Sequence, residues 1–506
     1  MAELVTICDP AGQPRGSGFV ADDRGTVVTS HEAVDGLTRV LLHGPAGHSC
    51  LADVTALPGA EVALVRADGL GVRPLPVSIR EAIPQGTYVR LPARGWRQAR
   101  VLGADALTVD LAIGTDGRDA LRMGGEARGG PVIDAETGAV LAVLSGGGAV
   151  PLRAAAATEP TLAELLDRNA ATVPAYGADL NLAGALELTG TTLGSALPLE
   201  ETVDRSAVAA DLDAFTTADA PVLALIGHPG TGRTTALAAL AARRSQGPHP
   251  SPTLWLRGAD LHAQDPDLST AVTRALEAAA RIVTMPGTGG TPETVRAAQR
   301  PDAGGAVRAA RAVRPPGVDG PVDEAWAAQP AGSGGSPDPA RVPQSPGWTR
   351  AGEPAPAVRA AGIAEGVARA AVAAGRGLLV VLDAPEEMPP ELAHRLAPWT
   401  EATAGWLRAT GTRLVIAAGP EYWERAGAHY PPEVLHTPAR PARRLPPALP
   451  LGDLTPAEAE AARARLGIPA DAVREADARH PLTLRLLAGV RAAQVTAGRP
   501  GRDEVF

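Results

Sequence analysis

Hydrophobic and polar positions alternate in two different textures along the chain. Up to residue 155, short β-type runs are punctuated by Gly, Pro and Asp. They include Gly18-Phe19-Val20, Thr26-Val27-Val28-Thr29, Val62-Ala63-Leu64-Val65, Thr87-Tyr88-Val89-Arg90 and Ala139-Val140-Leu141-Ala142-Val143-Leu144. Many short strands at such spacing predict an all-β antiparallel barrel or sandwich. A helical segment is expected near 161–169, within a connecting segment that reaches 215. From 216 the pattern becomes buried strand, loop and Ala-rich helix, as in an α/β domain. Strands are expected at 221–226, 253–256, 377–383 and 412–417, with a helix over 267–283 and a helical tail over 455–494.

Between 285 and 358 the chain is rich in Gly, Pro, Ala and Arg and shows no sustained period. Such a tract buries too little apolar surface to offset chain entropy, so a disordered insertion is expected. The resulting scheme is a β domain over 1–155, a connecting segment over 156–215 and an α/β domain over 216–284 and 359–440, split by the insertion. A helical module over 441–506 completes it.

Composition refines this multidomain picture. With 506 residues, 45% hydrophobic and 20% charged, the chain can bury two or three cores. Its net charge of −9 argues against coating nucleic acid. All 47 basic residues are arginine, so an arginine at any one site is weak evidence of local choice. Two cysteines are too few for a disulfide scaffold. No apolar run approaches the roughly 20 residues that cross a bilayer. A cytoplasmic protein without membrane contact is expected.

The strongest chemical signal is Gly227-His228-Pro229-Gly230-Thr231-Gly232-Arg233-Thr234-Thr235, directly after the apolar run 221–226. It has the order and spacing of a phosphate-binding loop, G-x-x-x-x-G-K-[ST], with Arg233 in the lysine place. Gly227, Gly230 and Gly232 would let backbone N–H groups converge on phosphate, at the positive end of a helix. Arg233 would reach the outer phosphates, while Thr234 would ligate magnesium and Thr235 would complete the loop. An arginine fork is bulkier than an ammonium, so any hydrolysis is expected to be slow. Downstream, four apolar residues end in Asp383, followed by Glu386 and Glu387. An acid at a strand end can hold magnesium, and a nearby glutamate can orient water.

These residues resemble the STAND class of P-loop NTPases, particularly its NACHT-like branch. Asp383-Ala384-Pro385-Glu386-Glu387 stands where that branch has D-G-x-[DN]-E. Leu414 to Glu421 looks like the sensor strand, with Gly419 near the place of its arginine. His480-Pro481-Leu482 is similar to the G-x-P motif. The resemblance implies Mg-ATP as ligand, with GTP left open, and a switch acting on a protein or peptide partner, with nucleotide-dependent self-association as one form.

Within the β domain, Gly16-Ser17-Gly18-Phe19-Val20, Thr29 to Val34, Glu61 to Arg66 and Gly129-Gly130-Pro131 resemble segments of trypsin-like serine proteases in the right order. That likeness implies a double barrel. Its triad requires a hydroxyl nucleophile, an imidazole base and an orienting carboxylate. Here Glu32 takes the histidine place, Glu61 the aspartate place and Arg128 the serine place, while Glu126 replaces an oxyanion-hole glycine. The expectation is a pseudoprotease barrel kept for binding or regulation, with an Arg128–Glu32 ion pair filling the dead site. The alternative is an ATP-regulated serine protease.

Overall fold

The computed structural model describes residues 3–92, 95–113, 127–146, 148–194, 203, 205–283, 362–469 and 472–492. The insertion expected at 285–358 and the Glu126 position lie outside them.

The first texture folds as two closed antiparallel barrels. Strands β1 (Val5–Cys8), β2 (Pro14–Val20), β3 (Thr26–Ser30), β4 (Arg39–His43), β5 (Ser49–Leu57) and β6 (Val62–Arg66) close in the order β1-β2-β3-β6-β5-β4. A one-turn helix, α1 (His31–Val34), follows β3. Strands β7 (Tyr88–Pro92), β8 (Trp96–Ala104), β9 (Val109–Ile113), β10 (Pro131–Asp134), β11 (Val140–Ser145) and β12 (Gly148–Pro151) close as β10-β11-β12-β9-β8-β7. Of the two sequence expectations, barrel and sandwich, the barrel is realised. Each barrel has its own core, Val5, Ile7, Val27, Val40 and Leu42 in one and Val89, Leu91, Val101, Val132 and Leu144 in the other. Closure removes the free strand edges that a sandwich would have to protect.

The stretch 156–215 carries helices of its own, one of them covering the 161–169 expected as helical. Helices α2 (Leu152–Ala156) and α3 (Pro160–Thr172) place Leu152, Leu162, Leu165 and Leu166 in one cluster with Phe19 and Leu64 of the first barrel and Ile133 and Val143 of the second. Asn169 of α3 is fully buried, donates to the carbonyls of Ala21 and Leu75, and accepts from the Val77 amide. Helix α4 (Leu182–Thr192) belongs to the next domain, sharing a cluster with the parallel sheet through Ala185 and Leu188. Its N-cap, Asn181, accepts from the Gly184 amide. Helix α5 (Ser206–Phe215) packs Leu212 and Phe215 onto the sheet's other face.

The second texture is a five-stranded parallel sheet. Its strands are β13 (Val222–Ile226), β14 (Thr253–Arg257), β15 (Leu379–Asp383), β16 (Arg413–Ala418) and β17 (Leu449–Pro450), in the order β14-β15-β16-β13-β17. Alternate residues divide between two layers. Val222, Ala224, Ile226, Val380 and Leu382 face one cluster, and Leu223, Leu225, Leu379, Val381 and Val415 face the other. Burial on both faces explains the unbroken apolar runs. Helix α6 (Arg233–Gln246) covers one face beside α5. Helices α7 (Leu268–Val283), α8 (Ile363–Ala373) and α10 (Leu396–Thr410) join α4 on the other, with the short α9 (Pro390–Ala393) leading into α10. Helix α11 (Pro420–Ala426) follows β16 and buries Trp423.

Strand β17 falls in the region read as helical module, and that boundary is corrected. Two residues lodged among prolines carry no period to read, and pairing with β13 makes them a strand. After β17, helices α12 (Pro456–Arg465) and α13 (Pro481–Ala492) form a small cluster of their own around Leu454, Ala459, Ile468, Leu484 and Leu487. Among the described residues no helix is long and apolar enough to cross a membrane.

Candidate functional site

The chain leaves β13 toward β14 at one edge of the sheet, and leaves β16 toward β17 at the other. Such a reversal opens a crevice beyond the carboxyl ends of the strands, where α/β sheets hold ligands. The loop 227–232 runs through this crevice, between β13 and the start of α6. Its glycines have separate reasons. A Cβ on Gly227 would stand 2.5 Å from the Thr231 hydroxyl and 2.6 Å from the Leu451 carbonyl, and one on Gly230 would stand 2.6 Å from His480. Gly230 and Gly232 have φ of 83° and 93°, a region that only glycine enters freely. Nothing lies within 4 Å of a Cβ on Gly232, so its side of the loop is open.

The crevice brings several of the expected residues together. Thr234 Oγ1 donates to Asp383 Oδ2 at 2.8 Å, and an Arg233 Nη donates to Glu386 Oε1 at 2.9 Å. Burial pushes the Asp383 carboxyl above the ordinary carboxylate range, opposed by the Thr234 hydrogen bond and the charges of Arg233 and Arg257. Gly419 stands where the resemblance puts a sensor arginine, and a Cβ there would lie 3.5 Å from the Glu421 carboxylate, 3.8 Å from that of Glu386 and 3.9 Å from the Arg233 guanidinium. Ala384, in the glycine place of the D-G-x pattern, takes the left-handed conformation with φ 50° that a glycine would favour. Glu387 is not gathered in: it is exposed and makes no side-chain hydrogen bond among the described residues.

Two partners of the loop lie outside the motif. Arg205, just before α5, donates to the Thr231 carbonyl at 3.1 Å and to the carbonyls of Gly452 and Asp453, tying the loop to the chain that follows β17. Its Nε is buried and has no hydrogen-bond partner among the described residues, and burial lowers its pKa. At the start of α13, the Leu482 amide donates to the Gly230 carbonyl at 3.2 Å, and buried His480 packs on Gly230. Arg205 sits in a stretch with no readable pattern. His480 is visible in the sequence only as a departure from G-x-P.

A cavity of about 770 Å³ adjoins the loop, reaching Thr231, Gly232 and Thr235. Its walls come from α5, α6, α12 and α13, with Leu212, Ala239, Leu466 and Leu484 among them. That is within the roughly 300–1,000 Å³ of small-molecule pockets.

The second candidate site lies between the barrels. The Arg128 guanidinium and the Glu32 carboxylate, which the resemblance sets in the serine and histidine places, form an ion pair at 3.2 Å, both side chains about half exposed. Glu32 also accepts from the Gly146 amide at 2.8 Å. Glu61 is not brought in as a third partner. It is exposed, with φ 52°, and its link to the site is through its backbone carbonyl, which accepts from the His31 amide. The Gly129-Gly130 pair is retained for packing. A Cβ on Gly129 would come within 2.1 Å of the Thr29 hydroxyl and 2.4 Å of the Ser17 carbonyl, and one on Gly130 within 2.5 Å of Pro92. The barrels therefore need these glycines whatever stands at 128.

Solved serine proteases match part of this chain. Rv3671c from M. tuberculosis H37Rv, as an inactive serine-to-alanine mutant, is 22% identical with a TM-score of 0.26, covering 32% of this chain and 87% of that one. The serine endoprotease from Yersinia pestis is 16% identical with a TM-score of 0.25, covering 32% and 62%. The inactive form of the Rv3671c protease is 23% identical with a TM-score of 0.25, covering 31% and 88%. No family model and no curated protein matches the sequence.

Proposed function

We propose that the chain is a nucleotide-gated switch. A phosphate tail on the loop 227–235 would control how α12 and α13 sit against the parallel sheet, and the two barrels would serve as a binding module that does not cut its partner. The observation that carries this reading is the cavity. It adjoins the glycine loop, and its walls are shared between the sheet domain and the C-terminal helices, so a ligand filling it would bridge the two.

The residues fit a magnesium nucleotide. Gly232 leaves open space at the start of α6, the Thr234 hydroxyl and Asp383 carboxylate form a pair of hard oxygen donors, and Arg205 Nε is an orphaned donor at the cavity wall. Bound there, Mg-ATP would supply a polyanion and a hard cation. The amides of 230–234 would meet phosphate oxygens at the positive end of α6. Arg233 would exchange the Glu386 carboxylate for phosphate. Thr234 and Asp383 would hold the cation, and Glu386, once released, would be free to orient water. His480 and Leu482 carry the state of the loop into α13 through Gly230.

Thermal unfolding of the full chain with magnesium and ATP or GTP tests the proposal. A ligand at 100 times its dissociation constant adds about 2.7 kcal/mol of stability. We expect that gain with one or both nucleotides, and its loss in Arg233→Ala and Thr234→Ala. No stabilisation by either nucleotide at millimolar concentration would end the nucleotide reading.

The pseudoprotease part rests on the Arg128–Glu32 pair, which puts a guanidinium where a nucleophile would have to stand. A fluorophosphonate probe is expected to leave the chain unlabelled. Labelling abolished by a Ser→Ala change would restore the protease reading.

A further inference from the structure

A second concavity, about 670 Å³, lies on the barrels at the far end of β10 from Arg128. The segment joining the barrels gives it Arg73 and Leu75, β7 gives Arg90, the start of β8 gives Trp96 and Arg97, and β10 gives Ile133. Register explains part of the arrangement. Arg90 pairs with Gln98 on one side and with Ile133 on the other, and directly opposed residues share a face of the sheet. Leu75, Trp96 and Ile133 pack into the cluster between the barrels and form an apolar floor. Arg73, Arg90 and Arg97 are exposed around it.

None of these three arginines forms an ion pair among the described residues, although Glu3 lines the same concavity. Arg90 spends one Nη on the Ala135 carbonyl at 3.3 Å. The chain as a whole carries −9, so three arginines against one lining carboxylate over an apolar floor run against its overall charge.

We propose that this concavity binds an acidic peptide segment of a partner protein, with carboxylates on the three arginines and one apolar side chain on the floor. Guanidinium forks match carboxylates bidentately, and Arg and Trp are the side chains that most often dominate binding at interfaces. Charge complementarity selects an acidic partner. The recessed apolar floor selects a segment with side chains of both kinds rather than a free inorganic anion or a flat membrane surface. The site shares no lining residue with the loop 227–235, so it stands or falls separately from the nucleotide reading.

The test is fluorescence anisotropy of a labelled peptide of glutamates flanking one leucine, titrated with the full chain. Saturable binding is expected, weakened at least about tenfold by Arg90→Glu with Arg97→Glu, and also by Trp96→Ala. The charge-matched pair Arg24→Glu with Arg39→Glu, on the other barrel, should leave it unchanged. Arg90→Gln with Arg97→Gln, checked for an unaltered melting temperature, separates lost contact from misfolding. Absence of saturable binding would overturn the proposal, as would equal weakening by the control pair. So would equal competition from inorganic phosphate or anionic phosphatidylserine vesicles, which would reduce the concavity to a general anion patch.

Discussion

Asp383 carries the sharpest conflict at the level of single residues. It is buried, its proton is held more tightly than in an unfolded chain, and a neutral group, the Thr234 hydroxyl, is its hydrogen-bond partner. The sign follows from linkage. A folded-state pKa raised by burial contributes stability that is fully present below the unfolded value, near 4, and lost as pH rises through the folded value. At neutral pH the ionised carboxylate is thus a cost to folding. Asp383→Asn should raise stability at pH 7 by on the order of 1 kcal/mol, with the gain vanishing toward pH 3, read from urea midpoints across that range. A structural cost kept at one buried carboxylate is what a cation-holding role would require.

At the level of elements, α3 holds the two barrels together. It contributes three buried leucines, Leu162, Leu165 and Leu166, to the cluster between them, and two polar residues fix its register: Asn169 with its three hydrogen bonds, and Arg168, which reaches buried Asp22 at 2.9 Å. Burial raises the Asp22 pKa, but hydrogen bonds from Thr26, Arg168 and Arg24 outweigh it and hold the carboxyl below its usual range. Asn169→Ala leaves two carbonyls and an amide without partners inside the protein. Each such loss costs about 1–3 kcal/mol, so a destabilisation of roughly 3 kcal/mol or more is expected in chemical denaturation. An unchanged midpoint would mean that α3 only covers the barrels and does not hold them.

Across the whole molecule, Arg205 is the strap between the glycine loop and the C-terminal helices. One guanidinium spans the Thr231 carbonyl in the crevice and the Gly452 and Asp453 carbonyls that lead into α12. Arg205→Met keeps the aliphatic stem and removes the strap. Limited proteolysis should then cut the 450–492 region faster, while the barrels stay resistant. Nucleotide protection of that region, if the switch reading is right, should weaken in the same variant. Cleavage at an unchanged rate would show that the C-terminal helices are held by their apolar cluster alone.

Much of the architecture is legible from local pattern. The apolar runs 222–226, 379–382 and 414–418 read as strands because a parallel sheet buries both faces, and that leaves no polar residue to break them. The glycines at 230 and 232 are legible as a tight turn between strand and helix, because the left-handed φ found there is a requirement that a single residue type meets freely. The mismatch at Arg128 is equally local. Other features have no signature along the chain. Strand β17 exists only because β13 offers it an edge, and α4 and α5 look like connection until the sheet supplies their packing partners. Arg205, Glu386 and His480 acquire their meaning from residues 26, 153 and 250 positions away in sequence. Backbone conformation and face-by-face burial are short-range properties, written into neighbouring residues. Whether a charge finds its partner, and whether a cavity is walled by one domain or by two, depends on distances that only the folded chain sets.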